Sequence, residues 1–205
     1  MSVKEQTINI RKFMNRDGTF PSVLSLLHKK IRKKYFDLTF QNDVIKNLNI
    51  ESILEQRIDE LSGGEIQRLL IALCLGKNAD IYLLDEPSAN LDIEKRLKVI
   101  KAVKKFIYNN NTNKSAFIIE HDIMMSVAFS QEYGSNILLV KEDSFENNIK
   151  RCSISSPLNF TEGINKFLEL MGITMRICTN NRPRINKINS QLDREQKMCG
   201  NYYGM

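Results

Sequence analysis

With 205 residues, 42% of them hydrophobic and 26% charged, the chain can bury one good core and has the balance of a globular protein, not of a disordered one. No stretch approaches the ~18 uninterrupted apolar residues of a membrane helix, and the start has no apolar signal-peptide core, so a spanning or secreted class is excluded and a cytoplasmic setting is expected. The formal net charge of +6 favours an anionic partner such as RNA without demanding one.

Residues 1–20 are polar and basic, with a weak β alternation at 7–10 and a turn signal at Asn15-Arg16-Asp17-Gly18. From Pro21 the pattern becomes helical: Ser22 is a suitable start, and Val23, Leu24, Leu27 and Ile31 form an apolar stripe. Lys29, Lys30, Arg32, Lys33 and Lys34 crowd the remaining positions, either as a solvated face or as an RNA contact. His28 beside them reads as a surface residue and not as a ligand. Residues 40–54 predict one or two short helices with Val44, Ile45, Leu48, Ile53 and Leu54 inward. Together with the first helix they make a helical lobe.

Next comes Leu61-Ser62-Gly63-Gly64-Glu65, followed by an apolar run at 69–75 that has the length of one buried helix. Two glycines at a helix start let the backbone approach an anion, because no Cβ blocks the way and the first amides lack internal partners. Phosphate fits such a place, and Ser62 can add a hydroxyl donor. Ile81-Tyr82-Leu83-Leu84 then reads as a fully buried strand that delivers Asp85 and Glu86 to its carboxyl end. Asp85 suits Mg²⁺, directly or through water, and Glu86 suits the positioning of an attacking water.

After Asp92 an amphipathic helix runs to about Tyr108 with Ile93, Leu97, Ile100, Val103 and Ile107 on one side. The asparagine-rich tract at 109–113 is a loop, and 116–120 form a second buried strand that ends at His121. A helix over 122–131, a third strand over 136–140 and a helix over 163–170 follow. Alternating helices and buried strands predict an α/β fold with right-handed crossovers and a parallel sheet. Beyond Gly172 the chain is basic, with Arg176, Arg182, Arg184 and Lys187. Cys74, Cys152, Cys178 and Cys199 lie far apart, with no Cys-x-x-Cys pair and no nearby histidine. That spacing argues against a zinc or iron–sulfur site and for a reducing compartment, with Cys74 a small core residue.

The ordered set of Leu61 to Glu65 with Gln67, Asp85-Glu86-Pro87, Ser88 to Asp92, and Glu120-His121-Asp122 resembles the signature, Walker B, D-loop and H-loop series of an ABC ATPase. Ile71 to Lys77 and Asn181 to Lys187 narrow the resemblance to the second nucleotide-binding domain of the RNase L inhibitor family (subfamily E), soluble ABC proteins that split ribosomes. The likeness runs from about Ser22 to Tyr203. It implies the carboxyl-terminal part of a RecA-like P-loop NTPase domain: a poorly matched segment at 1–20, a helical lobe at 21–60, a core half at 61–160, and a helix with a hinge-like basic segment at 161–205. The alternative for that last segment is a flexible tail.

The resemblance assigns roles as well. Asp85 would hold Mg²⁺ by way of water, Glu86 would orient the hydrolytic water, and His121 would sense the γ-phosphate. Ser62, Gly63, Gly64, Glu65 and Gln67 would grip ATP bound by an opposite domain, from the lobe and away from the strand ends, and Asp92 would couple the two sites. ATP and Mg²⁺ are the implied cofactors, with no iron–sulfur cluster in this chain. The implied partners are the small ribosomal subunit with its rRNA and a second nucleotide-binding domain, with no membrane. No Gly-x-x-x-x-Gly-Lys-Ser/Thr occurs in the sequence, Gly76-Lys77-Asn78 being no substitute, and residues 1–20 offer no evident Q-loop glutamine. Two other readings stay open: a non-hydrolysing ribosome-binding or regulatory fragment, and the soluble ATPase subunit of an ABC transporter.

Overall fold

The computed structural model describes residues 1–6, 9–108, 114–130, 135–146, 149–178 and 183–204, with the side chains of 143–150 left aside. The alternation expected at 7–10 lies partly outside the described residues. So do the tract at 109–113, the end of the helix expected to reach 131, and Asn181 and Arg182. Two compact units divide the chain, Met1–Met125 and Ser126–Met205.

The first unit opens on β1 (Ser2–Lys4), a strand the sequence pattern hides because its inward positions are polar: Ser2 is 1% and Lys4 3% exposed. The Ser2 hydroxyl donates to the Cys74 carbonyl at 2.8 Å, which satisfies it inside the core. Helix α1 (Val23–Tyr35) begins where the Ser22 hydroxyl accepts the Ser25 amide, and buries Val23, Leu26, Leu27 and Ile31. After α2 (Leu38–Phe40) the lobe continues as a π-helical turn, Gln41–Ile45, and two 3-10 turns, Glu51–Ile53 and Ile58–Glu60. Phe40, Val44, Ile45, Leu48, Ile53 and Ile58 are 0–1% exposed. Burial of each contributes about 1.5–3 kcal/mol, and this holds together pieces too short to be stable alone. His28 is half-buried among the rings of Tyr35 and Phe36, not the surface residue expected.

Helix α3 (Gly63–Leu75) leaves the lobe and packs on the sheet. The buried Arg68 guanidinium ties it to the lobe by donating to the carbonyls of Leu48 and Asn49. Strand β2 (Ile81–Asp85), helix α4 (Ile93–Tyr108) and strand β3 (Ser115–Ile119) complete a parallel sheet of order β1-β2-β3. Ser2 stands opposite Tyr82, and Asp85 opposite Ile119.

Two expectations need correction. The strands are not fully buried: Ile81 of the central β2 is 42% exposed, and Phe117 and Ile119 of β3, at an edge of the described sheet, are 47% and 45% exposed. The inward stripe of α4 is Val99, Ile100, Ala102, Val103 and Phe106, while Ile93 and Leu97 are exposed. The helix meets α3 and the π-helical turn.

Helix α5 (Ile123–Ser130) carries the chain into the second unit. There β4 (Val140–Glu146) and β5 (Ile149–Ile154) form an antiparallel hairpin. The strand expected at 136–140 therefore does not join the parallel sheet; Ile137 makes only an isolated antiparallel bridge with Leu158. Helix α6 (Phe160–Met171) is capped by Asn159 and ends on Gly172 in the left-handed conformation. In the last sheet β6 (Met175–Ile177) lies between antiparallel β7 (Pro183–Ile185) and parallel β8 (Tyr203–Gly204), with α7 (Gln191–Met198) inserted in the chain between β7 and β8. Thr174, Asn186, Asp193 and Gln196, all buried, bond to one another, so the described part of this basic segment is ordered and not a flexible tail. Among the described residues no helix is long and apolar enough to cross a membrane.

Candidate active site

Parallel strands present their carboxyl ends together, and here groups beyond two of them meet a carboxylate that follows the third. Glu86 follows β2 with a left-handed backbone, φ +45°, a conformation that costs an ordinary residue about 1–2 kcal/mol. Four contacts hold it there: its amide donates to the Ile119 carbonyl at 2.9 Å, and its carbonyl accepts Gln67 Nε2 at 2.7 Å, Lys4 Nζ at 3.2 Å and the Ala89 amide at 3.2 Å. The side chain then meets Gln6 from the end of β1, whose Nε2 donates to Glu86 Oε1 at 2.7 Å. His121, from beyond β3, brings its Nε2 to 3.1 Å from the same oxygen. The Glu86 side chain is 20% exposed and that of His121 80%, so the group faces solvent through the histidine.

Lys4 supports the site from beneath. Its ammonium reaches the carbonyls of both Asp85 and Glu86. Burial pulls its pKa below the ordinary lysine range, opposed by the negative charges of Asp85, Glu120 and Glu86. The Asp85 carboxylate is half-buried and has no hydrogen bond or ion pair among the described residues.

The segment after Glu86 is clasped to the end of β3. Glu120 accepts the Ser88 amide at 3.0 Å and the Ser88 hydroxyl at 2.9 Å, while burial raises its pKa. Arg96 donates to the Leu91 carbonyl and pairs with Asp122, which in turn caps the start of α5. Asp92 caps α4 through the Lys95 amide at 2.9 Å and pairs with the Lys95 ammonium at 2.6 Å; that hydrogen bond holds its pKa below the usual carboxylate range.

Ser62 and Glu65 cap α3 reciprocally: Ser62 Oγ accepts the Glu65 amide at 3.4 Å, and Glu65 Oε2 accepts the Ser62 amide at 2.9 Å and hydroxyl at 2.6 Å. Gly64 is required by a close approach. A Cβ there would stand 3.0 Å from the Asn90 carbonyl oxygen and 3.3 Å from Leu91 Cδ2, whereas one on Gly63 meets only Asn90 Cβ at 3.9 Å.

A family profile described as ABC transporter matches residues 2–89. Protein Pixie of Drosophila melanogaster is 44% identical over 204 residues, 99% of this chain and 31% of that protein. ABC transporter E family member 1 of Arabidopsis thaliana is 45% identical over 183 residues, 89% of this chain and 29% of that protein. Among solved structures, an RNase-L Inhibitor superposes with a TM-score of 0.81 at 36% identity, over 98% of this chain and 36% of its own. This chain belongs to the RNase L inhibitor family of ABC ATPases. An archaeal ribosome recycling factor of the same family, solved in complex with the ribosomal stalk protein, gives the same TM-score of 0.81 at 36% identity, over 100% of this chain and 36% of its own. The chain thus spans about a third of the length of these relatives.

Within this RNase L inhibitor fold three differences from the sequence reading matter. The match over 204 residues takes in the opening segment that the motifs had left unmatched. A glutamine is present in it: Gln6, two residues beyond β1, meets the Glu86 side chain. The alternation of Val3 and Glu5 with buried Ser2 and Lys4 concealed that strand. Gln67 is fully buried and spends its amide on the Glu86 carbonyl, so it holds the Walker B end and offers no exposed face to a nucleotide. The signature helix start is also nearer the strand ends than expected, since Ser62 precedes Gln67 by about 7 Å of helix axis.

Proposed function

We propose that this chain is the carboxyl-terminal part of the second nucleotide-binding domain of a ribosome-recycling ATPase, and that in the whole protein ATP binding and hydrolysis drive the separation of ribosomal subunits. The reading is carried by the convergence of Gln6 and His121 on the Glu86 carboxylate at the carboxyl ends of three parallel strands. Glu86 accepts a proton from, and so orients, a water attacking the terminal phosphate, with its backbone fixed and its carboxylate aimed by two neighbours. His121 contacts that phosphate from the solvent side.

Asp85 fits a magnesium ion that is shared with phosphates: an unpaired, half-buried carboxylate at a strand end is the donor such ions take, one or two per site, beside the substrate's own oxygens. The ion would neutralise charge on the phosphates. Ser62, Gly63 and Gly64, with Glu65 fixing the serine, offer helix-start amides to a nucleotide bound on a second domain, and Asp92, which caps α4 on the segment after Glu86, couples the two sites. The ribosomal partner rests on the similarity to the archaeal recycling factor.

The test is a chimera in which this chain replaces the matching third of a full-length relative. Glu86→Gln should slow hydrolysis at this domain by about two orders of magnitude or more while ATP still binds and the domains close on it. Turnover and subunit splitting unaffected by Glu86→Gln would overturn the reading.

A further inference from the structure

Helix α1 exposes four cations, Lys29, Lys30, Arg32 and Lys33. Val23, Leu26, Leu27 and Ile31 occupy the buried side. Lys29, Arg32, Lys33 and Phe36 stand at i, i+3, i+4 and i+7, and all four are exposed. Ile31 has a non-helical backbone, φ −137° and ψ 29°, so Lys29 lies before this kink, and Arg32, Lys33 and Phe36, the C-cap residue at 62% exposed, lie after it. Lys34 is neutralised by Asp37 at 2.6 Å. Lys29, Arg32 and Lys33 have no ion-pair partner among the described residues.

The ring that ends the row is fixed in place. Phe36 packs on His28 with centroids 5.3 Å apart and on Tyr35 at 5.5 Å, and those two rings meet edge-on at 5.2 Å. The core gains little from a ring more than half exposed, and the cations at i and i+4 repel each other along the helix. An anion carrying a flat apolar surface compensates both. From Lys29 to Phe36 the helix rises about 10 Å, the length of about three stacked nucleotides at ~3.4 Å each.

We infer that this surface of α1 binds an unpaired RNA segment, with Lys29, Arg32 and Lys33 on successive phosphates and Phe36 stacked on one base. Unpaired RNA is favoured over a duplex, whose bases are already stacked and would leave the ring idle. It is favoured over an acidic peptide because a single aromatic ring beside cations suits a stacked base on a phosphate chain. The inference is independent of ATP turnover and is tested without nucleotide, so it can fail while the ATPase reading stands.

The experiment is fluorescence anisotropy of the whole chain with a labelled single-stranded RNA 12-mer across a series of salt concentrations, alongside a duplex of the same length and labelled polyglutamate. Phe36→Ala should weaken single-strand binding about 5- to 150-fold, the effect of about 1–3 kcal/mol per stacked base, at an unchanged salt slope. Phe36→Tyr should retain binding. Arg32→Gln and Lys33→Gln should each reduce the slope of log affinity against log salt by about 0.7. Binding that survives Phe36→Ala, equal affinity for the duplex, or polyglutamate bound as tightly as RNA would each overturn the proposal.

Discussion

Gln6 and Glu86, eighty residues apart in sequence, meet side chain to side chain at 2.7 Å because β1 and β2 run parallel and end together. His121 approaches the same oxygen at 3.1 Å, so one carboxylate reports the alignment of all three strands. In the chimera, turnover measured for Gln6→Ala, Glu86→Gln and the double variant should show a coupling of about 0.5–3 kcal/mol, as expected for residues in direct contact. Strictly additive losses would mean that Gln6 does not act through Glu86.

The backbone of Glu86 makes a separate prediction. Glu86→Gly should leave the chain as stable as before, or more stable by up to about 1 kcal/mol, since glycine adopts a positive φ without penalty. Glu86→Val should destabilise it, because a β-branched residue is disfavoured there. Urea unfolding of the two variants distinguishes the outcomes; equal effects would remove backbone strain from the account.

The paired glycines should respond differently to the same substitution. Gly64→Ala must displace the Asn90 carbonyl or Leu91 and should cost about 1–3 kcal/mol. Gly63→Ala meets ordinary contact only and should be neutral or favourable by up to about 1 kcal/mol, as alanine suits a helix better. Thermal melts of the two variants check this, and a reversed order would show that the approach of residues 90–91 to α3 is misassigned.

Asp193 gives the second unit an acid-dependent contribution. Its pKa is held below the usual carboxylate range, first by the Thr174 hydroxyl and then, against the effect of burial, by the Asn189 amide and Lys197. The folded form therefore binds its proton less readily than the unfolded chain. The stability it supplies is complete above the ordinary carboxylate range and is lost as pH falls through the lower, folded value. Circular-dichroism melts between pH 6 and pH 3 should show a steeper acid loss for the native chain than for Asp193→Asn.

These 205 residues carry no Gly-Lys-Ser/Thr loop, whose amides and lysine make most phosphate contacts in such enzymes. Calorimetry of this chain alone with Mg-ATP should show no tight site. Saturable micromolar binding abolished by Asp85→Asn would overturn that expectation.

Much of the site was legible because it is local. Asp85 and Glu86 follow an apolar run, Ser62 to Glu65 start an apolar helix, and His121 follows another short strand, so spacing along the chain and the family resemblance it supports mark them as candidates. The helix expected over the apolar run of 69–75 is present and begins earlier, at Gly63, and the strand before Glu86 is present with Ile81 exposed instead of buried. Gln6 and Lys4 were not legible. Their strand is three residues long and its inward side chains are polar, so the period-2 signal is absent until Cys74 and Asp85 supply the partners.

By itself the sequence determined the class of the fold, the order of the motifs and the acidic residues that serve them, because these depend on hydrophobic periodicity and on residue types at short range. Tertiary structure alone decided how deeply each strand is buried, which face of α4 turns inward, that 136–140 stay outside the parallel sheet, and that Gln67 and Lys4 hold the backbone of Glu86. Burial and hydrogen-bond partners are set by neighbours distant in sequence, and a polar group becomes a core residue only when the fold brings it a partner.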